Sequence, residues 1–300
     1  MSRLLGSNMK RILLVIAAAI ALVIGSSAPV SAATSPPSYT CTGGDFATGN
    51  LVHIHSGTYA SLTIAGACDV DPWATITIVG NLTVEAGAVF DAQTVPSTIT
   101  VGHNVIAGTG ALLGLGCQPD QPHKAGHECG AMFDPDDAGG PEADDPDVPC
   151  VPELENPFGC ASSVITIRGN VTATDANTVL LNGIMVHGNV TLSGGGGDIP
   201  WAIKNNTIGR NLTVSGVTAE WFGALFNQVG RNMTLTNITA TDPEEVAAGG
   251  TPTVQIVRNV IAHNLTCHGI GPALAFGFYP GQVNTVGHKA TGQCSHPVST

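Results

Sequence analysis

Positive charge is scarce in this sequence. The chain has only 10 lysine and arginine residues against 22 aspartate and glutamate residues, a formal net charge of −12. Such a surface repels phosphate polymers and anionic lipids, so we expect neither nucleic acid nor a membrane among the partners of the mature protein. Long apolar stripes with the helical period of 3.6 residues are also lacking beyond the N-terminal segment, which argues against a helical fold.

The N-terminal segment has the pattern of an export signal. A basic pair precedes an apolar run at 12–24, and small residues follow it. This pattern predicts cleavage after Ala32 or Ala33, so that 1–33 is a signal peptide and 34–300 is the mature chain. A transmembrane anchor is the alternative, but the apolar run is short for a membrane span. The mature chain, with seven basic and 22 acidic residues, has a net charge of −15, and we expect it to be secreted and extracellular.

Eight cysteines follow the predicted signal. They are Cys41, Cys68, Cys117, Cys129, Cys150, Cys160, Cys267 and Cys294. An even number of cysteines in an exported chain predicts disulfide bonds. Their separation along the chain favours Cys41–Cys68 and Cys267–Cys294 as two local pairs, and we expect the remaining four to pair among themselves.

The rest of the sequence consists of short runs rich in valine, isoleucine and threonine, separated by glycine and asparagine, as is typical of an all-β protein. A phrase of the type Gly-Asn-apolar-Thr-apolar recurs in these runs. It is anchored by Asn81, Asn104, Asn170, Asn189, Asn211, Asn232 and Asn264, with Ser61 and Lys289 in degenerate first and last copies. Apart from two gaps enlarged by insertions, successive copies lie 19 to 25 residues apart.

Each copy of the phrase has the alternation of one β-strand. The first and third residues after the anchor are mostly apolar, and the second is nearly always threonine. One such strand cannot bury its apolar side alone, but copies stacked in parallel can. A period near 20 residues therefore predicts a β-solenoid, specifically a parallel β-helix of about nine coils, which by analogy we expect to be right-handed.

Asparagine marks the turns of this repeat. A second column, at Asn206, Asn227, Asn259 and Asn284, lies five residues before the anchors. Asparagine suits tight turns, and stacked side-chain amides can bond from coil to coil. We therefore predict that the seven anchors form a structural ladder. The same repeat explains most of the Asn-x-Thr sequons without glycosylation.

Two segments raise the question of a metal site. The insertion at 118–163 holds half of the acidic residues, and we expect it to be a disulfide-stapled loop at one corner. A shorter insertion, at 242–252, is likewise expected to be a loop. The oxygen ligands of the larger insertion make calcium a minor hypothesis, although that segment lacks EF-hand spacing; the candidates are Asp134, Asp136, Asp137, Asp144 and Asp145. A zinc site at Cys117, His123, His127 and Cys129 is a further alternative, but an oxidising compartment favours the disulfide. We expect no cofactor.

No motif assigns a catalytic residue. Polysaccharide-cleaving β-helices need paired carboxylates, whereas Asp175, Asp198 and Glu220 are isolated from one another in register. The His-Gly pair at 268–269 lacks the companion motifs of a polygalacturonase. We expect a non-enzymatic scaffold that contacts polysaccharide or a cell-wall surface, with a polysaccharide-degrading lyase or glycosidase as the alternative. The sequence leaves the oligomeric state open.

Two outward columns are further candidates for binding. Threonine or serine pairs follow four consecutive anchors, as on the ice-binding faces of some antifreeze proteins; because threonine suits any exposed strand, ice binding is a remote alternative. A column of histidine and arginine residues lies one residue before the anchors. It can form a binding stripe for a polymer, or it can be an ordinary solvated corner. Its members are His103, Arg210, Arg231, His263 and His288.

The repeats IGRNLTVSG, VGRNMTLTN and AHNLTCHG, with the ending NTVGHKATGQC, resemble those of secreted actinobacterial proteins with GNLTV-type phrases. The resemblance covers most of the mature chain, is strongest over 165–294 and weakest over the acidic insertion. It implies a parallel β-helix of the pectin-lyase-like kind and supplies no catalytic residues.

Overall fold

Three parallel β-sheets wind around one interior. The computed structural model describes residues 35–119, 126–130, 158, 160–276 and 283–295. Within these residues the chain passes repeatedly from sheet 1 to sheet 2 to sheet 3 and back to sheet 1. One such circuit is one coil, and neighbouring coils pair through parallel strands throughout.

The strands are numbered in chain order. Sheet 1 contains β1 (Tyr39–Cys41), β4 (Leu62–Ile64), β7 (Leu82–Val84), β10 (Val105–Ala107), β13 (Val171–Thr174), β16 (Val190–Ser193), β19 (Leu212–Ser215), β23 (Met233–Ala240), β26 (Leu265–Gly271) and β29 (Ala290–Gly292), and β20 (Thr218–Ala219) pairs with the end of β23. Sheet 2 contains β2 (Val52–Ile54), β5 (Ala67–Val70), β8 (Val89–Ala92), β11 (Leu112–Leu115), β14 (Thr178–Asn182), β17 (Trp201–Lys204), β21 (Phe222–Leu225), β24 (Thr253–Val257) and β27 (Ala273–Ala275). Sheet 3 contains β3 (Gly57–Tyr59), β6 (Thr75–Ile78), β9 (Thr98–Val101), β12 (Val164–Ile167), β15 (Met185–Val186), β18 (Thr207–Ile208), β22 (Gln228–Val229), β25 (Val260–Ile261) and β28 (Thr285–Val286). The nine circuits confirm the predicted parallel β-helix.

The apolar positions of the repeat form the core. Leu212 on β19 pairs in register with Met233 on β23, and both side chains are fully buried. The same interior column continues through both neighbouring coils, with Val190 on one side and Leu265 on the other. Full burial of one such side chain stabilises the fold by about 1.5–3 kcal/mol, so the stack of coils supplies the core that no single coil has.

The large insertion leaves sheet 2 after β11 and returns at β12 on sheet 3. Among its described residues, 126–130 lie against the outer face of sheet 2. The Lys204 ammonium donates to the Gly126 carbonyl at 3.1 Å, and the Asn182 side-chain amide donates to the His127 carbonyl at 3.3 Å. Both side chains are buried, so this part of the insertion covers polar groups of the sheet instead of standing away from the corner.

The shorter insertion at 242–252, expected from the sequence to be a plain loop, contains one helical turn and a half. Helix α1 (Pro243–Ala247) follows β23. Asp242 caps it by accepting a hydrogen bond from the Glu245 backbone N–H at 2.8 Å, and proline occupies the first helical position. Both are helix-start signals that the sequence itself carries.

Disulfide bonds close both ends of the coil stack. Cys41–Cys68 and Cys267–Cys294 pair as predicted. Cys117 pairs with Cys129, so the zinc hypothesis for these cysteines is wrong, because the thiolates it needs are consumed. Cys160 is also disulfide-bonded, whereas Cys150 lies outside the described residues. Among the described residues no helix is both long and apolar enough to cross a membrane.

Candidate functional site

An outer ladder of asparagines runs along the corner where sheet 3 passes into sheet 1. The Asn104 backbone N–H donates to the Asn81 side-chain oxygen at 3.0 Å, and the Asn104 amide group lies 3.4 Å from the same oxygen. This pattern repeats in each coil up to Asn264, whose side chain donates to Asn232 at 3.0 Å. These half-buried amides thus align the first residues of neighbouring strands in sheet 1 with one another.

An inner ladder of asparagines stands at the corner between sheets 2 and 3. Asn206, Asn227 and Asn259 are at most 1% exposed. Each side-chain nitrogen donates twice: Asn227, for example, donates to the Ile203 carbonyl at 2.7 Å and to the Asn259 side-chain oxygen at 2.9 Å. These bonds satisfy polar groups that burial would otherwise penalise, so this ladder is structural.

A shallow polar groove lies on the outer face of sheet 1. It has a volume of about 560 Å³ and crosses β16, β19, β23, β26 and β29. Its lining consists of neutral amides and hydroxyls, from Asn189, Thr191, Asn211, Thr213, Asn232, Thr234, Asn264, Thr266 and Thr291. Five coils spaced about 4.8 Å apart make it roughly 19 Å long. The groove therefore presents one threonine per coil, in line with the axis.

Several of these groups are free to bind a ligand. Within the described part of the chain, the hydroxyls of Thr191, Thr213 and Thr234 make no hydrogen bond, whereas Thr266 and Thr291 bond to each other at 3.0 Å. Each ladder amide uses one hydrogen for its neighbour, and an amide group carries two. The groove thus offers both donors and acceptors in every coil.

The threonine column extends beyond the groove. It begins with Thr40 and Thr63 in the first two strands of sheet 1 and reaches Thr291, with a single interruption at Ile106 on β10. The repeat, with Ser61 as its degenerate first anchor, already places Thr63 in the column. Thr40 precedes the first recognised copy, and only the strand register places it there.

A column of exposed basic side chains borders the groove. The corner before each anchor consists of two residues, and one of them is nearly always glycine because the preceding coil is too close: a Cβ on Gly230 would lie 2.5 Å from the Gly209 carbonyl oxygen, and one on Gly102 would lie 2.1 Å from that of Val79. The other residue is exposed and unrestricted. In seven successive coils it is arginine or histidine, namely His103, Arg168, His187, Arg210, Arg231, His263 and His288, which we call the basic ridge.

Backbone hydrogen bonds stack the ridge directly from Arg210 to His288, whereas Arg168 and His187 lie one residue earlier in the corner, in line with Gly209. The Arg231 N–H donates to the Arg210 carbonyl at 3.0 Å, and the His263 N–H donates to the Arg231 carbonyl at 3.0 Å. The imidazole rings of His263 and His288 are stacked with their centres 4.8 Å apart. The ridge therefore repeats at the spacing of the coils, in step with the groove beside it.

Acidic side chains meet on another surface, the outer face of sheet 2 in the first coils, which the sequence analysis missed. His53, Asp69 and Asp91 are consecutive partners in register on β2, β5 and β8. The His53 Nδ1 atom lies 2.6 Å from an Asp69 oxygen, and His55 and Asp71 form a second pair at the same distance. Both pairs are separated by 16 residues in the sequence, which is the only sequence signal for them. This spacing identifies contacts only once the register between β2 and β5 is known.

Asp69 and Asp91 have different surroundings. Burial raises the pKa of Asp91, against the opposing effect of hydrogen bonds from Thr94 and from the backbone of Gln93 and Thr94. Desolvation also raises the pKa of Asp69, although the hydrogen bond with His53 opposes it. Asp91 is only 4% exposed and its oxygens hold the turn at 93–94, so it is sequestered from any substrate.

The remaining candidates from the sequence are acidic side chains. Asp134, Asp136, Asp137, Asp144 and Asp145, the calcium candidates, lie outside the described residues. Within the described ranges no cluster of three or more histidine, cysteine or acidic side chains is arranged to hold a metal ion. Asp175 follows β13, but the Glu220 N–H donates to the Gly197 carbonyl at 3.0 Å, so the backbone of Glu220 lies beside that of Asp198 in the neighbouring coil, and the prediction that these two are isolated in register is wrong.

Comparison with known proteins provides no family for this chain: no protein-family model, no curated protein and no solved structure matches it.

Proposed function

We propose that this protein is a secreted, non-enzymatic scaffold that binds an extended polysaccharide chain, or a cell-wall surface built from one, along the groove of sheet 1. The observation that carries the proposal is the row of threonine hydroxyls and asparagine amides repeated in five adjacent coils. A linear glycan offers a similar row of hydroxyl groups, each able to donate and to accept. A periodic row of protein groups can therefore bond to successive sugars.

The compartment fits this proposal. Three disulfide pairs in the described residues suit an extracellular protein. The predicted signal peptide supplies the route of export. We also propose kinship with the secreted actinobacterial proteins that carry the same repeats, on the strength of those phrases alone.

Retention on insoluble glycans tests the proposal. The mature chain is mixed with insoluble polysaccharides of different linkage, and bound protein and released sugar are measured in the same tubes. Thr213→Val with Thr234→Val removes two free hydroxyls and keeps the shape and the strand preference of both residues. We expect this double variant to lose most of its retention.

A matched control comes from sheet 3. Thr77→Val with Thr100→Val makes the same change on two adjacent, half-exposed threonines outside the groove, and we expect it to bind like the unsubstituted chain. Equal retention of both double variants would contradict the groove as the binding site. Retention of the unsubstituted chain on none of the glycans would contradict polysaccharide binding.

Polysaccharide cleavage is the competing function. It is favoured by one observation, the register of Asp69 with Asp91 beside His53. The burial of Asp91 counts against it, because a general acid or nucleophile has to reach the glycosidic bond. Sugar release in the retention assay that Asp69→Asn abolishes would favour the enzyme over the scaffold.

A further inference from the structure

The basic ridge is the feature that the proposed function leaves unexplained. The fold requires a small residue at one of the two corner positions, but it places no demand on the other. Val79 occupies the position of Arg168 and His187, two residues before the anchor, in an early coil and is 52% exposed there, so an uncharged side chain fits that corner position. The repeated choice of arginine or histidine in seven later coils is therefore a property of the surface and not of the coil geometry.

The ridge concentrates a scarce residue type. Three of the seven basic residues of the mature chain belong to it, namely Arg168, Arg210 and Arg231, and Lys289 lies next to His288 in the last coil. The strands that the groove crosses carry no acidic residue, and the acids that follow strands of sheet 1, among them Glu85 and Asp175, come after the carboxyl ends of those strands, whereas the ridge precedes their amino ends.

Local charge here differs in sign from the net charge. At physiological ionic strength charges are screened over about 8 Å, so a ligand on the ridge experiences mainly the ridge itself. Arginine is also the side chain best suited to carboxylate and sulfate groups, because its planar fork can donate two parallel hydrogen bonds to them.

We infer that the groove binds a linear anionic polysaccharide whose hydroxyl groups contact the threonine row while its carboxylate or sulfate groups contact the basic ridge. This inference rests on the proposed function and names its ligand class. The ligand lies parallel to the axis, because groove and ridge both repeat once per coil along it.

A nucleic acid is a poorer match to the same surface. Single-stranded nucleic acids bind to aromatic side chains that stack with the bases, and no aromatic residue other than histidine lies in the groove or on the ridge. Only three of the seven ridge residues are arginine, so the density of permanent positive charge is low for a phosphodiester chain.

The test measures affinity for soluble probes by calorimetry. The probes are a hexuronate oligosaccharide, a sulfated hexasaccharide, the neutral cellohexaose and a short single-stranded DNA. At low salt we expect at least one anionic sugar to bind roughly tenfold or more tightly than cellohexaose, with the difference shrinking as salt is raised. The two anionic probes distinguish carboxylate from sulfate as the recognised group.

Substitutions in the ridge test whether it recognises the anionic groups, separately from whether the groove binds the sugar chain. Arg210→Gln with Arg231→Gln is expected to lower the affinity for the anionic sugar roughly tenfold and to leave that for cellohexaose unchanged. Arg258→Gln, at the corner between sheets 2 and 3, is the control for loss of positive charge, and thermal melting checks the folding of every variant. The valine double variant at Thr213 and Thr234 is expected to weaken both sugars.

The outcomes are distinguishable. If cellohexaose binds as tightly as the anionic sugars, or if the glutamine double variant binds them unchanged, the ridge is not a recognition element and the inference is overturned while the groove stands. If no sugar binds, the proposed function fails as well. Tighter binding of the DNA than of either anionic sugar would overturn the inference in favour of a nucleic-acid site.

Discussion

Asn206 donates its side-chain amide to the side-chain oxygen of Asn227, in the following coil, at 3.0 Å. The outer ladder runs the other way, since each anchor donates to the preceding coil. The two ladders also differ in exposure, because the inner one is fully buried and the outer one is half-buried. This difference makes their energetic roles separable.

The first prediction concerns these ladders. Asn227→Ala removes the acceptor of two Asn206 N–H donors and the side-chain donor to the Ile203 carbonyl in a dry interior, while the Asn259 oxygen keeps the backbone N–H of residue 227; we expect a loss of about 3 kcal/mol or more in the free energy of unfolding. Asn232→Ala in the outer ladder is the control. Water can replace its bonds, so a loss of about 1 kcal/mol is expected. Equal losses in denaturant titrations would refute the distinction.

The second prediction concerns the interior column. Leu212→Ala removes apolar atoms that pack between Val190 and Met233 and leaves a cavity, so we expect a loss of about 2–5 kcal/mol. The neighbouring outward residue provides the control, because Thr213→Ala changes a solvent-facing position and is expected to cost less than about 1 kcal/mol. A small loss for Leu212→Ala in chemical unfolding would contradict the stacked core.

The third prediction concerns the C-terminal disulfide. Cys267 and Cys294 are 27 residues apart in sequence, and cross-linking a loop of this size stabilises by about 3.5 kcal/mol in the chain-entropy model. We expect the double serine variant to lose hydrogen-exchange protection first in β26 and β29, because each coil contacts only its neighbours. The N-terminal coils, closed by Cys41–Cys68, serve as the internal reference. Uniform loss of protection along the chain would contradict this local role.

The fourth prediction concerns Asp91 and pH. Because burial raises its pKa in the folded state, the folded protein holds this proton more tightly than the unfolded chain does. The contribution of Asp91 to stability is therefore largest below the unfolded-state pKa of about 4, and it is lost as pH rises from there through the folded-state pKa. Asp91→Asn keeps an oxygen for the Gln93 and Thr94 N–H groups and carries no charge.

Comparison of unfolding free energies from pH 4 upward checks this prediction. We expect the advantage of Asp91→Asn over the unsubstituted chain to grow with pH and then level off. Asp91→Ala, which leaves both N–H groups without an acceptor, is expected to be less stable at every pH. An asparagine variant whose difference from the parent does not change with pH would show that Asp91 does not titrate differently in the folded protein.

Much of the fold follows from the sequence because the repeat is nearly regular. The positions of Leu212 and Met233 in their phrases were enough to predict that they stack inside, and the spacing of Cys41 from Cys68 was enough to predict their bond. The right-handed winding of the coil stays a prediction. The sequence analysis missed helix α1, although Asp242 and Pro243 are helix-start signals. It predicted a loop there because the segment interrupts the repeat.

The candidate site was less accessible to sequence reasoning. The amino-acid sequence by itself determined the coil, because strand alternation, turn asparagines and cysteine spacing act within one repeat or between adjacent ones. Only the tertiary structure decided which outward residues share a surface: it joined Thr40 to the threonine column, put Asp69 beside Asp91, and set the basic ridge along the groove. The reason is that the register between coils depends on the number of residues in each coil. That number varies along the chain, and the packing of the interior decides which residues of neighbouring coils are paired.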